Sequence, residues 1–174
     1  SSAPQLGNLA VLIAGLSIPL IVVASAPAEE IIGQAQVLDG DSIRIGQVEI
    51  RLHGIDAPES RQTCLIDGQK WRCGRSATRA LREMVGSAST HCTWRQRDTY
   101  KRALATCFSG GVNINAKMVY SGMALAYTHY TNRYAAEQAQ ARQAARGVWS
   151  SEFSPPWKWR RAQRGQAPSN RSKP

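Results

Sequence analysis

Asp39-Gly40-Asp41, Arg51, the segment Asp56 to Glu59, and Arg102 are residues of the types that metal-assisted cleavage of a phosphodiester requires. Carboxylate oxygens hold a hard divalent cation, while guanidinium groups grip phosphate through paired N–H donors and stabilise charge developing on it. In an extended segment Asp39 and Asp41 project to one side, and Gly40 between them permits close approach of a ligand or another backbone. Asp-Gly is also a common turn dipeptide, so the same residues read equally as a hairpin tip. Arg51 and Asp56 fall on opposite faces of a regular strand. One site can use both only if the chain bends or bulges, and Gly54 is the place for it. Taken singly, Arg51 also suits a surface ion pair with Glu49, and Glu59 a turn or helix cap.

The elements that would carry these residues follow from hydrophobic periodicity. Ile31 to Leu38 and Ser42 to Leu52 are rich in Val and Ile, broken at Asp39-Gly40 and Gly46-Gln47, which predicts three successive strands. Ser76 to Val85 places Ala77, Ala80, Leu81 and Met84 at helical spacing before a Gly86 stop. Thr93 to Arg97 and Arg102 to Thr106 read as a hairpin around Thr99-Tyr100. Asn113 caps a short helix containing Ile114, Met118 and Val119 that ends at Gly122, and Ala135 to Arg146 forms a third helix closed by Gly147. Three strands, a helix, two strands and two helices predict an α+β domain, mainly β: a five-stranded oligonucleotide/oligosaccharide-binding (OB) barrel flanked by three helices.

With 174 residues, the chain has room for one ordinary domain, expected over residues 31–153. Its net charge of +10 favours a polyanionic partner without choosing among nucleic acid, acidic polysaccharide and anionic lipid. Residues 1–30 hold an apolar run, Leu9 to Val23, then Ala26-Pro27-Ala28. They read as an export signal or, alternatively, as a retained membrane anchor. Cys64, Cys73, Cys92 and Cys107 lack zinc-ribbon spacing and agree with export. The hairpin register sets Cys92 opposite Cys107, leaving Cys64 to pair with Cys73; four buried thiols are the alternative. His53, His91 and His129 match no zinc spacing and suit polar structural roles. Residues 154–174 are expected to be a mobile basic tail, with a phosphate-binding arm, or packing of Trp157 and Trp159 on the domain, as alternatives.

Four motifs in order, V-L-D-G-D-S-I from Val37, R-L-H-G-I-D-A-P-E from Arg51, R-D-T-Y-K-R-A-L-A from Arg97 and A-E-Q-A-Q-A-R-Q-A-A-R-G-V-W from Ala136, resemble the staphylococcal nuclease (thermonuclease) family. The resemblance spans Gln34 to Trp149. It implies an OB barrel with flanking helices and a calcium ion held by Asp41, Asp56 and the Ala57 carbonyl; the spacing of Asp39 and Asp41 adds Asp39, one carboxylate binding directly and the other through water. It further implies Glu59 as general base and Arg51 and Arg102 as phosphate ligands. Family members cut DNA and RNA with little sequence preference, prefer single strands and leave 3'-phosphates. Three positions depart from the pattern: Ala57 replaces a threonine, Lys101 a glycine, and His129 the second of two nucleotide-contacting tyrosines, of which Tyr127 matches the first. Tyr127, Lys101 and His129 are therefore the expected substrate contacts. The implied function is an exported (periplasmic or secreted) calcium-dependent endonuclease acting as a monomer, with no protein partner. A noncatalytic nucleic-acid or protein-binding module, and a role in exopolysaccharide production, are the alternatives.

Overall fold

The computed structural model describes residues 27–166, so most of the expected leader and the end of the basic tail lie outside the described residues. In chain order the strands are β1 (Glu29–Gly33), β2 (Ala35–Val37), β3 (Ser42–Ile45), β4 (Val48–Leu52), β5 (Ile55–Asp56), β6 (Cys64–Ile66) and β7 (Gln69–Trp71), followed by helix α1 (Cys73–Val85). Then come β8 (Thr90–Arg97), β9 (Ala103–Ser109), β10 (Val112–Asn113), α2 (Ile114–Tyr120), β11 (Leu125–Ala126), α3 (Ala135–Gln143) and α4 (Pro156–Gln166).

The main sheet runs β1-β8-β9-β4-β3-β2, and only Gln34 separates its first and last members in the chain. One bent strand thus contributes to both ends of the path and curls the sheet into a barrel wall of β1–β2, β3, β4, β8 and β9. This is the expected OB architecture, and closure leaves few unpaired edges. Alternating Ile43, Ile45, Ile50 and Leu52 point inward to meet Leu81 of α1 and Ile114 and Met118 of α2, all buried. Asn115, fully buried, fixes one end of the barrel: its Nδ2 donates to the carbonyls of His53 and Ala105, and its Oδ1 accepts from the Cys107 amide. A buried amide satisfied on both sides locks β4 against β9.

The helix signals read from the sequence act as expected at Gly86, which caps α1 with φ +55°, and at Asn113, whose side chain accepts from the Ala116 amide at 3.0 Å. Helix α1 begins three residues earlier than its apolar spacing suggests, because Cys73 is tied to Cys64. Cys92 faces Cys107 across β8 and β9, and these two bond as well. Helix α3 stops at Gln143 rather than Arg146; Ala145 and Gly147 turn to φ +48° and +54° there.

Sequence patterns did not indicate the β6–β7 hairpin or α4. The latter stands where a mobile basic tail was expected to begin. Pro156 suits the first helical turn, where no intrahelical N–H bond is needed. Trp157 is the anchor: it packs with Trp71, Trp149 and Phe153 around the Cys64–Cys73 bridge, Leu125 and Val148. Upstream, Gln62 Nε2 donates to the Ser154 carbonyl at 2.6 Å, and Leu65 and Glu152 exchange backbone bonds.

In the β8–β9 turn, Lys101 occupies the left-handed region at φ +66°, where resemblance to the family leads one to expect glycine. Lys101→Gly removes a strain of about 1 to 2 kcal/mol, offset in part by the greater freedom of glycine in the unfolded chain. Urea denaturation should show a net gain of roughly 0.5 to 1 kcal/mol, and a loss of stability would contradict it.

Candidate active site

The bend demanded of Gly54 is present: its φ is +78°, and its carbonyl accepts from the Tyr127 amide at 2.9 Å. A Cβ there would lie 2.8 Å from Thr131 Cγ2 and 3.1 Å from Tyr134, so glycine is needed both for conformation and for space. The kink carries the chain from β4 to β5 and brings Arg51 and Asp56 together. Arg51 Nη1 donates to Asp41 Oδ1 and its Nη2 to Asp56 Oδ1, each at 3.0 Å. The surface pair envisaged for Arg51 does not form, since Glu49 takes Arg44 instead.

Asp41 is held by more than Arg51. Its Oδ2 accepts from the Ala57 amide at 3.0 Å, its Oδ1 from Ser42 Oγ at 3.2 Å, and its own amide donates to Asp39 Oδ1 at 3.0 Å. The Asp39-Gly40-Asp41 segment is therefore both turn and site. Gly40 serves protein packing, because a Cβ would come within 2.7 Å of Ala57 Cβ and 3.0 Å of Ala77 Cβ. Gly74 of α1 lies so close beneath the Glu59 carbonyl that any side chain there would collide with it, which seats the Glu59 loop on the helix.

Arg102 enters from the other hairpin. Asp98 orders that turn, accepting from the amides of Tyr100 and Arg102 through Oδ1 and from Arg102 Nε at 2.8 Å through Oδ2. Burial pushes Asp98 up, but its bonds from Arg102 and Tyr100 prevail and hold it below the usual carboxylate range. The Arg102 guanidinium also lies over the Tyr100 ring, 5.5 Å from its centre.

Asp39, Asp41, Arg51, Ala57, Glu59, Arg102 and Tyr127 all line one cleft of about 430 Å³. Asp56 does not line it: with no exposed surface, it lies behind the Arg51 and Arg160 side chains that do. Lys101 and His129 do not line this cleft; both are exposed, with the His129 ring 6.0 Å from Tyr127. Of the histidines, His53 lines the cleft and is pushed down by burial and by Arg133, and His91 Nε2 meets Glu30 Oε2 at 2.9 Å.

Several cleft residues were not among the site candidates that the sequence offered: Asp98, Tyr100, Tyr130, Arg164 and, above all, Arg160. Arg160 reaches from α4 to donate through Nη1 and Nη2 to Asp56 Oδ1 and Oδ2, at 2.9 and 3.0 Å, and through Nη1 to Glu59 Oε1 at 2.8 Å. The available signal was the helical spacing of Trp157 and Arg160, which puts a core anchor and a cation on one face after a Pro-Pro start.

Burial pushes the Asp41 carboxyl up to about 7, with Asp39 and Asp56 adding to it against the pull of Arg51 and the Ala57 amide. Burial works against the Arg51 charge, but Asp41 and Asp56 more than restore it. A carboxylate so short of positive charge, among hard oxygen donors, suits a divalent cation. Among the described residues no three His, Cys, Asp or Glu side chains form a ready cage. Asp41 and Asp56, joined by Arg51, with the Ala57 carbonyl are nonetheless the groups that would hold such an ion once Arg160 gives way.

A family profile described as staphylococcal nuclease homologue matches residues 49–151. The chain is 38% identical to the succinoglycan biosynthesis protein ExoI of Rhizobium meliloti over 129 residues, covering 72% of this chain and 68% of that one. It is 37% identical to an uncharacterized endonuclease of Escherichia coli O157:H7, covering 72% and 81%. It is 32% identical to a micrococcal nuclease of Shigella flexneri, covering 82% and 88%.

Between 3.8 and about 7 the folded protein keeps a proton on Asp41 that the unfolded chain has released. Rising pH across that window therefore removes stability, whereas Asp41→Asn lacks the effect. In chelator, the melting temperature of the parent relative to Asp41→Asn should fall from about pH 4 to about pH 7; a constant difference would refute it.

Proposed function

The chain belongs to the family of staphylococcal nuclease homologues, and on that premise we propose that it is an exported calcium-dependent endonuclease hydrolysing DNA and RNA with little sequence preference. At family level, relatives named endonuclease and micrococcal nuclease support a nuclease hydrolase with a nucleic-acid substrate. The observation that carries the finer reading is the single guanidinium of Arg51 joined to both Asp41 and Asp56, in a cleft that also presents Glu59 and Arg102.

In this reading Asp41, Asp56 and the Ala57 carbonyl hold calcium, with Asp39 orienting Asp41 through its amide. The bound ion would supply Lewis-acid polarisation of a phosphate oxygen and a more acidic water. Glu59, partly open to solvent, accepts the proton of the attacking water. Arg51 and Arg102 take the nonbridging oxygens and stabilise the more negative five-coordinate phosphorus, leaving a 3'-phosphate and a free 5'-hydroxyl. The Tyr127 ring offers a stacking face to an unpaired base, which favours single strands, and exposed Lys101 and His129 add weaker contacts at the rim. Two disulfides support an oxidising compartment, periplasmic or secreted. Activity is assigned to the monomer. The name of the Rhizobium relative raises exopolysaccharide production as a biological context, but no group in this cleft is specific to sugar chemistry.

Supercoiled plasmid and single-stranded RNA incubated with the purified protein give the test. Cleavage should stop with chelator and return with calcium. Glu59→Gln should abolish most of it, and Arg51→Lys and Arg102→Lys should each lower the rate by a few hundredfold or more, about 3 to 4 kcal/mol. Binding without cleavage would instead establish a noncatalytic module.

A further inference from the structure

Asp56 accepts three side-chain hydrogen bonds, all from guanidinium groups, and two of them come from 104 residues away in the chain. Arg160 grips both Asp56 oxygens side by side, the strong bidentate geometry, and extends the same Nη1 to Glu59. Arg51 holds Asp56 Oδ1 as well. Both oxygens are thus taken by guanidinium groups, and α4 is kept in place by Trp157 in the aromatic cluster and by the bond from Gln62 to Ser154.

Occupation of both Asp56 oxygens makes this arrangement and a cation bound at Asp56 mutually exclusive. Asp39, Asp41, Asp56 and Glu59 outnumber Arg51 and Arg160, but both oxygens of Asp56 already accept from guanidinium groups. A cation bound to Asp56 with Arg160 retained would have to share both ligand oxygens with a group of its own sign in a largely buried place, where such crowding is costly. Arg160 is the partner able to withdraw, because its long side chain can swing aside while Trp157 holds α4, whereas Arg51 is fixed in the barrel wall between β3 and β9.

We propose that Arg160 is a tethered competitor of the divalent cation: α4 seats its guanidinium on Asp56 and Glu59, and a cation binds at Asp41 and Asp56 only as Arg160 leaves. The C-terminal helix thereby sets the cation affinity of the site. The inference rests on the calcium reading above and goes beyond it by making the affinity a property of α4.

Calorimetric titration of calcium into the substrate-free full chain tests it without reference to activity. Arg160→Gln should tighten the dissociation constant by about tenfold or more. Arg161→Gln, which removes the same charge from the exposed neighbouring position, should change it by no more than about twofold because solvent screens it. Calcium should also alter tryptophan emission in the parent, where Trp157 and Trp159 lie on the same helix as the departing side chain, and do so less in Arg160→Gln. Should that variant not fold, Arg160→Lys serves, since one ammonium cannot span both oxygens of Asp56; it too should bind calcium more tightly than the parent. Equal affinity in Arg160→Gln and parent, weaker affinity in the variant, or equal tightening by Arg161→Gln would each overturn the competition. If Asp41→Asn abolishes calcium binding while Arg160→Gln leaves it unchanged, the calcium site stands and the competitor alone fails. Absence of calcium binding from parent and variants alike would remove both.

Discussion

A carboxylate with no exposed surface must have its charge answered from within the protein, and Asp56 imposes that requirement on everything around it. Two arginines meet it, one from the barrel wall and one from the last helix. Removing a partner from such a group costs about 3 to 5 kcal/mol, because the remaining charge stays buried and unpaired. The site is therefore part of the structural frame, and residues that could bind a cation or a phosphate also hold β4, β5 and α4 together.

That frame is built from close backbone approaches more than from large side chains. Gly54 turns the chain so that β4 and β5 present Arg51 and Asp56 to one cleft, Gly40 lets the Asp41 turn rest on Ala57 and Ala77, and Gly74 lets α1 lie against the Glu59 carbonyl. Asn115 closes the end of the barrel beneath the bend through three hydrogen bonds. With the backbone fixed, each functional side chain has few places to go, which is the condition for preorganised electrostatics.

The second cluster joins this frame to the C-terminus. The Cys64–Cys73 bridge anchors the start of α1 and the β6–β7 hairpin, and its far side receives Trp149, Phe153 and Trp157. Helix α4 thus borders the cleft, with Arg160 and Arg164 in its lining. The net charge of +10 is accordingly more than a diffuse attraction for polyanions. Part of it is used at short range on the protein's own carboxylates.

Local periodicity and turn chemistry determined much of this protein from its sequence. The five-strand barrel, the Gly86 and Asn113 helix ends, and the facing of Cys92 and Cys107 were legible because each depends on residues a few positions apart, or on hairpin register. The need for a bend at Gly54 was legible too, since strand alternation alone could not bring Arg51 and Asp56 to one side. Only the tertiary structure decided that Arg160 meets Asp56, that Lys101 and His129 stand outside the cleft, and that a helix replaces the start of the basic tail. These outcomes turn on how Trp157 packs against a disulfide formed much earlier in the chain and on how unpaired charge is answered across long loops. No short-range pattern records such contacts, because their energy comes from burial shared between segments distant in sequence.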